Sequence, residues 1–157
     1  MSQLEVKNII ISDLKEIERI GSLCLPLYYE VLDLMLFLMD KNHFCLKVID
    51  PKKPKNIMGY LIAEYQDQKT RIHIKSLGTL PEYRRQGVAK LMITYLKFQQ
   101  KVNSDLHTLS LYVLEDNWDA IKFYARQNFS AKKKLPNYYQ TLNKDGYYLV
   151  CDLPSEG

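Results

Sequence analysis

The stretch Leu77-Gly78-Thr79-Leu80-Pro81-Glu82-Tyr83-Arg84-Arg85-Gln86-Gly87-Val88-Ala89 decides the fold. Arg71 to Leu80 reads as a strand, and the chain turns at Pro81. Gly87 to Gln100 reads as a helix, because Val88, Leu91, Met92, Tyr95 and Leu96 fall at i, i+3, i+4, i+7 and i+8. A helix that opens straight after a strand and turn presents first-turn amides with no intrahelical partner. Its dipole adds about half a positive charge there. Gly87 and the small Ala89 let a bulky anion reach that backbone. Arg84 and Arg85 add guanidinium forks that match phosphate oxygens. Arg84, Arg85, Gln86, Gly87, Val88, Ala89 and Lys90 are therefore read as a diphosphate-binding turn. An exposed basic turn with no ligand is the plainer alternative. There is no G-K-[ST] of a P-loop and no three-glycine dinucleotide fingerprint.

Outward from this turn the elements follow in order. Leu4 to Ile10 reads as a strand. Ser12-Asp13 with Glu16 starts a helix that Gly21 to Leu27 breaks. Val31 to Met39 is an apolar helix. His43 to Asp50, Ile57 to Tyr65 and Arg71 to Leu80 form an antiparallel meander. His107 to Leu114 is a strand, and Asn117 caps a helix running to about Gln127. Phe129 to Leu135 and Gly146 to Leu153 are closing strands. The order βααβββαβαββ is an α/β fold with a mixed, mostly antiparallel sheet flanked by about four helices.

The 157 residues are expected to make a single domain over 1–157, with 46% hydrophobic and 25% charged residues excluding a disordered chain. No apolar run reaches the roughly 18 residues of a membrane span, and the N-terminus shows no secretory pattern. Cys24, Cys45 and Cys151 are odd in number and far apart. That argues against a disulfide framework or a metal site and for a reducing, cytoplasmic setting. A net charge of +4 suits a small polyanion as well as it suits anything larger. Lys52 to Lys55 and Lys132-Lys133-Lys134 are short runs without interleaved aromatics, so no specific nucleic acid is expected. Twelve tyrosines include the pairs Tyr28-Tyr29, Tyr138-Tyr139 and Tyr147-Tyr148, which can line a pocket or a half-exposed sheet.

The phosphate turn is followed 28 residues after Ala89 by Asn117-x-x-Ala120-x-x-Phe123-Tyr124. This pairing resembles the GNAT acetyltransferase superfamily. Leu25-Pro26-Leu27-Tyr28-Tyr29, Ser76 to Leu80 with Tyr83-Arg84-Arg85, and Asn137-Tyr138-Tyr139 look like the protein N-terminal acetyltransferases, closest to the catalytic subunit of N-terminal acetyltransferase E. The resemblance covers roughly residues 4 to 142. It implies a GNAT-type sheet with splayed central strands, acetyl-CoA as donor and no metal. The pyrophosphate would lie on the amides of Arg84 to Lys90. The pantetheine arm would add like a strand along Leu77, Gly78 and Thr79, whose ladder groups would be open. Asn117 would hold the pantetheine or CoA, and Tyr124 would protonate the leaving thiolate, with core packing as its plainer role.

The same resemblance implies a base. The relatives use a tyrosine on the strand before the phosphate turn and a histidine on the strand before the second helix. The matching positions here are His73 and Tyr112, so the two residue types are exchanged. His73 is expected as base with Tyr112 as its hydrogen-bonding partner, an imidazole near pH 6.5 being suited to the task. Leu25, Pro26 and Leu27, opposite Tyr139 and Leu142, would wall an apolar pocket for a first-residue Met. Tyr29 and Tyr138 would bond the peptide backbone. Lys75 stands where the family has methionine; it would either favour an acidic residue downstream in the peptide or snorkel outward. Ala89 replaces a common glycine, and Asn128 stands before Phe129 where glycine is usual. His43 and His107 are expected as loop or strand-end residues, and the cysteines as buried apolar groups.

The chemistry is direct attack of an amine on the thioester in a ternary complex, with one base and a stabilised oxyanion. The expected activity is transfer of acetyl to the free N-terminal amine of a protein, beginning with Met and an apolar residue. Partner subunits and the ribosome are possible company; no membrane is expected. A lysine or small-amine acceptor stays open, as does a non-catalytic CoA-binding scaffold subunit.

Overall fold

A computed structural model describes residues 3–155 of the chain. Its strands are β1 (Glu5–Asn8), β2 (His43–Ile49), β3 (Ile57–Gln66), β4 (Arg71–Thr79), β5 (Thr108–Leu114), β6 (Ser130–Tyr139) and β7 (Lys144–Asp152). Its α-helices are α1 (Leu14–Cys24), α2 (Val31–Met39), α3 (Val88–Phe98) and α4 (Trp118–Arg126). The element order is the one read from the sequence. The sheet order is β1-β2-β3-β4-β5-β7-β6. The pairs β1·β2, β2·β3, β5·β7 and β6·β7 are antiparallel, and β4·β5 is parallel. The parallel register runs from Arg71↔Thr108 to Ile74↔Leu111, and five residues of β4, Lys75–Thr79, follow it. The chain divides into two compact units, Met1–Glu64 with Lys75–Tyr95 and Tyr65–Ile74 with Leu96–Gly157.

The first unit is built on an apolar cluster that includes Leu14, Ile17, Ile20, Leu34, Tyr60 and Ile62. The 3.6-residue spacing of Leu14, Ile17 and Ile20 turns one stripe of α1 inward. Two sequence expectations need correcting here. The helix does not break at Gly21 but runs to Cys24. A Cβ at Gly21 would lie 3.0 Å from the Tyr60 hydroxyl and 3.1 Å from Tyr28 Cβ. Glycine is there for close packing, not for a turn. At the other end, Ile11–Asp13 form a 3-10 turn, and Asp13 Oδ2 accepts from the Ile10 amide at 2.9 Å and from Lys47 Nζ at 2.7 Å. In α3, Val88, Met92, Ile93 and Leu96 are buried. Leu91 and Tyr95 flank this inward stripe half-buried, and Ile93 adds to it. Only Leu34 of α2 is buried; Leu32, Met35, Leu36 and Met39 are exposed.

Tyr60 is the largest of these fully buried side chains, its hydroxyl 2.7 Å from Ser76 Oγ. Burial pushes its pKa from 10.0 up to about 12. The folded state therefore keeps the phenol proton longer than the unfolded chain does. Stability is fully present below pH 10 and is lost as pH rises towards 12, by roughly 2–3 kcal/mol from this group. Urea midpoints at pH 8, 10 and 11.5 should fall only above 10, and a Tyr60→Phe variant should show a smaller fall.

The second unit carries β5, β7 and β6, with Leu109, Leu111, Val113, Leu149 and Phe129 buried. α4 begins as expected: Asn117 Oδ1 accepts from the Ala120 amide at 3.3 Å. It ends at Arg126, and Asn128 beyond it, at φ +71°, takes the left-handed conformation foreseen for the residue before Phe129. β6 runs further than expected, through Pro136 to Tyr139, with register shifts at Ala131/Lys133 and Leu135/Tyr139. An edge strand tolerates proline because its N–H side is unpaired.

Candidate functional site

The donor-side residues lie in the first unit. Between β4 and α3 the chain makes a short 3-10 turn (Pro81–Tyr83) and then exposes Arg84, Arg85, Gln86 and Gly87. Arg85 has φ +64° and Gly87 φ +82°. The first intrahelical bond of α3 runs from the Leu91 amide to the Gly87 carbonyl at 2.9 Å, so the amides before it have no helical partner. A Cβ at Gly87 would meet nothing within 4 Å, which leaves open space over that backbone. Arg84 Nε donates to the Thr79 carbonyl at 3.2 Å, and Gln86 Nε2 donates to the Glu82 carbonyl at 3.2 Å. These two bonds pin the turn at both ends.

Gly59 on β3 is what lets β4 and α3 close up here. A Cβ on it would stand 2.8 Å from the Gly78 carbonyl oxygen and 2.8 Å from Val88 Cγ1. One expectation about this segment is corrected. The Thr79 carbonyl is not open: besides Arg84, the Cys24 thiol donates to it at 3.3 Å. The Thr79 hydroxyl oxygen, in contrast, is buried with no hydrogen-bond partner. An orphaned buried hydroxyl beside an exposed run of helix-start amides fits a ligand with both a polar arm and an anionic end.

The loop Leu25–Tyr29 joins α1 to α2, with Pro26, Leu27 and Tyr28 exposed and Leu25 and Tyr29 half-buried. Tyr29 meets Phe37 edge-on, ring centroids 4.9 Å apart. Lys75 neither points freely outward nor waits unpaired. Its Nζ lies 3.9 Å from the centroid of Phe37, 5.8 Å from that of Tyr29, 3.1 Å from His43 Nε2 and 3.9 Å from Glu64 Oε2. His43 opens β2, the strand-end position expected, but its packing was not foreseen. Its side chain is only 5% exposed, its ring stacks on Phe37 at 4.7 Å, and its Nδ1 meets Asp40 Oδ2 at 3.0 Å. The signal was Asp40 three residues before it. His107 just precedes β5 and is exposed, as a strand-end residue should be.

The second unit holds the residues expected to do chemistry. His73 is 8% exposed, and its Nδ1 is 2.8 Å from Ser110 Oγ on β5. Tyr112 lies two residues along β5, its ring 4.9 Å from that of His73. Sequence reading assigned Tyr112 as the hydrogen-bond partner; the Nδ1 partner is Ser110, and Tyr112 meets the imidazole ring to ring. Tyr112 in turn packs on Tyr138 at 4.7 Å and Tyr148 at 5.3 Å, and Tyr138 on Tyr139 at 5.0 Å. Gly146 makes room for Tyr139, whose ring would be 2.9 Å from a Cβ there. Burial pushes Tyr139 up to about 12, with Tyr138 and Tyr112 adding to it. Tyr124 is buried on α4 against Phe129, at 5.5 Å, and burial raises its pKa well above the ordinary phenol value. It is thus a phenol that stays protonated. Leu142 sits half-buried in a 3-10 turn after β6.

Burial raises the thiol pKa of Cys151, and that of Cys45 to about 11, and all three cysteines are free, so Cys45 and Cys151 behave as inert apolar groups. Among the described residues no group of three or more His, Cys, Asp or Glu could hold a metal ion. Also among them, no helix is long and apolar enough to cross a membrane.

The family model of the acetyltransferase (GNAT) family matches residues 12–129, three quarters of the chain. The chain belongs to the GNAT family. Among curated relatives, this GNAT chain is 38% identical over 100 residues to N-alpha-acetyltransferase 60 of Xenopus tropicalis, covering 60% of the chain. That match spans only 41% of the frog protein's length. It is 24% identical over 159 residues to an N-alpha-acetyltransferase of Saccharolobus solfataricus, covering 94% of the chain and 92% of the relative. The fold superposes on Arabidopsis thaliana NAA60, crystallised with a bisubstrate analogue, with a TM-score of 0.86 at 20% identity, covering 98% of this chain and all of the other. In this GNAT chain the parallel β4·β5 pair stands among the antiparallel pairs β1·β2, β2·β3, β5·β7 and β6·β7.

Proposed function

We propose that the chain transfers the acetyl group of acetyl-CoA to the free α-amine of a protein N-terminus, Met followed by an apolar residue. The observation that carries this reading is the make-up of β4. One strand brings a buried histidine, with Nδ1 held by Ser110, and then Leu77–Thr79 and the phosphate turn. The names of the curated relatives support the α-amine as acceptor. In this reading all 157 residues serve one catalytic domain.

Acetyl-CoA supplies an activated thioester when bound. The amides of Arg84 to Lys90 and the two guanidinium groups would hold its pyrophosphate. Leu77, Gly78, Thr79 and Asn117 would hold the pantetheine arm; the Asn117 amide can still donate while its oxygen caps α4. His73 takes a proton from the acceptor amine, whose ordinary pKa near 7.7–8 leaves much of it protonated at neutral pH. Ser110 fixes the ring orientation. Tyr124, a protonated phenol at neutral pH, would give its proton to the departing thiolate. Leu25, Pro26 and Leu27 would meet the first side chain, with Tyr29 on the peptide backbone; Tyr138, Tyr139 and Leu142 are assigned to the peptide by the resemblance alone. The free cysteines favour a reducing compartment, the cytoplasm.

The test is CoA release with acetyl-CoA and four acceptors: a Met-Leu-Pro peptide, its N-blocked twin with an internal lysine, a Met-Glu peptide and a polyamine. Fast release is expected only with the free Met-Leu terminus. Preference for the blocked lysine peptide or the polyamine would overturn the acceptor. Saturable CoA binding with no release would turn the reading into a scaffold.

A further inference from the structure

We propose that Lys75 is a self-acetylation site of this chain, its ε-amine activated by His43 and Asp40. The proposal rests on the donor placement above and adds an acceptor inside the protein. The geometry is that of an activated nucleophile: an amine within hydrogen-bond reach of an imidazole that a carboxylate orients. Lys75 Nζ is 3.1 Å from His43 Nε2, and His43 Nδ1 is 3.0 Å from Asp40 Oδ2. An ammonium has only donors, so Nε2 accepts and the ring proton sits on Nδ1, donating to Asp40.

This arrangement can absorb the proton that acetylation releases. When Lys75 gives a proton to Nε2, the new imidazolium lies between two carboxylates. Asp40 is on one nitrogen, and Glu64 Oε2 is 3.4 Å from the other. The cluster's charge is the same before and after. Two carboxylates and an ammonium become two carboxylates and an imidazolium. The lone pair on Nζ then attacks the thioester carbonyl. A C–N bond forms, the C–S bond breaks, and the CoA thiolate leaves with the second amine proton. The product acetamide is neutral and lies on the Phe37 face that now carries the ammonium, 3.9 Å from its centroid. Lys75 stands two residues before Leu77 on β4, about 6–7 Å along the strand from the start of the segment assigned to the donor arm. The Lys75 side chain is 18% exposed, so it is reachable without unfolding.

The experiment incubates the full chain with acetyl-CoA, without peptide, and follows intact mass and lysine-resolved peptide maps. The peptide panel is run in parallel. Expected is one acetyl group at Lys75, with a rate constant that does not change when protein concentration is raised tenfold. His43→Gln should slow it by about 10²-fold or more, and Lys75→Arg should abolish it. Thermal melting and CoA binding confirm that both variants are folded. Labelling confined to other lysines while the peptide is turned over overturns the proposal and leaves the N-terminal activity standing. Equal labelling of Lys75 in His43→Gln also overturns it. Neither label nor peptide turnover removes the proposal together with the reading it rests on.

Discussion

Changing His73 to Ala is expected to lower kcat by about 10²- to 10⁴-fold at pH 7, with KM for the peptide little changed. The size follows from the role: proton removal from an amine that is largely charged at neutral pH has no easy substitute in a residue 8% exposed to water. His73→Gln, which keeps more of the volume, separates loss of the base from loss of packing and should be equally slow. Ser110→Ala should cost less. It removes the oxygen 2.8 Å from Nδ1, so the ring loses orientation but keeps its base, and the acid limb of the pH–rate profile should move. An unchanged kcat in His73→Ala would sink the assignment, and water or another group would then take the proton.

Gly59→Ala carries the second large effect. Its Cβ would stand 2.8 Å from a backbone oxygen, that of Gly78, as well as 2.8 Å from Val88 Cγ1 and 3.2 Å from Thr79 Oγ1. Backbone cannot rotate away, so β4 or the start of α3 must shift. The cost is about 1–3 kcal/mol, roughly 2–12 °C in Tm for a chain of this size. The displaced groups are those assigned to the donor, so Kd for acetyl-CoA should rise tenfold or more. Gly87→Ala is the informative comparison. It meets open space and is strained only through its φ of +82°. A Gly59→Ala protein with unaltered Tm and Kd would show that the packing around Gly78 has slack the distances do not suggest.

Much of the fold was readable because local signals agreed. The α3 stripe, the Asn117 cap and the Asn128 stop each point to one conformation, and all three are observed. The misreadings share a cause. Gly21 looks like a breaker unless one knows that Tyr60 and Tyr28 crowd it, and both contacts are distant or outside the helix. The length of β6 could not be read through Pro136, because only its place at the sheet edge makes proline harmless. In the proposed site, residue types at family spacing pointed to His73, but not to Ser110, which a parallel neighbour supplies 37 residues away. Lys75 was conspicuous and His43 was not. Their pairing depends on the β2–β3 register that sets His43 opposite Glu64.

Arg85 is the place where heat resistance and donor affinity should part. It holds a left-handed φ of +64° without being glycine, a conformation that costs about 1–2 kcal/mol in an ordinary residue. A library screened for survival at high temperature should therefore enrich Arg85→Gly, and the survivors should bind acetyl-CoA less well. A library screened for turnover at low donor concentration should discard the same substitution. A naturally retained arginine at a glycine-shaped position would then be a record of which of those two pressures the chain has lived under.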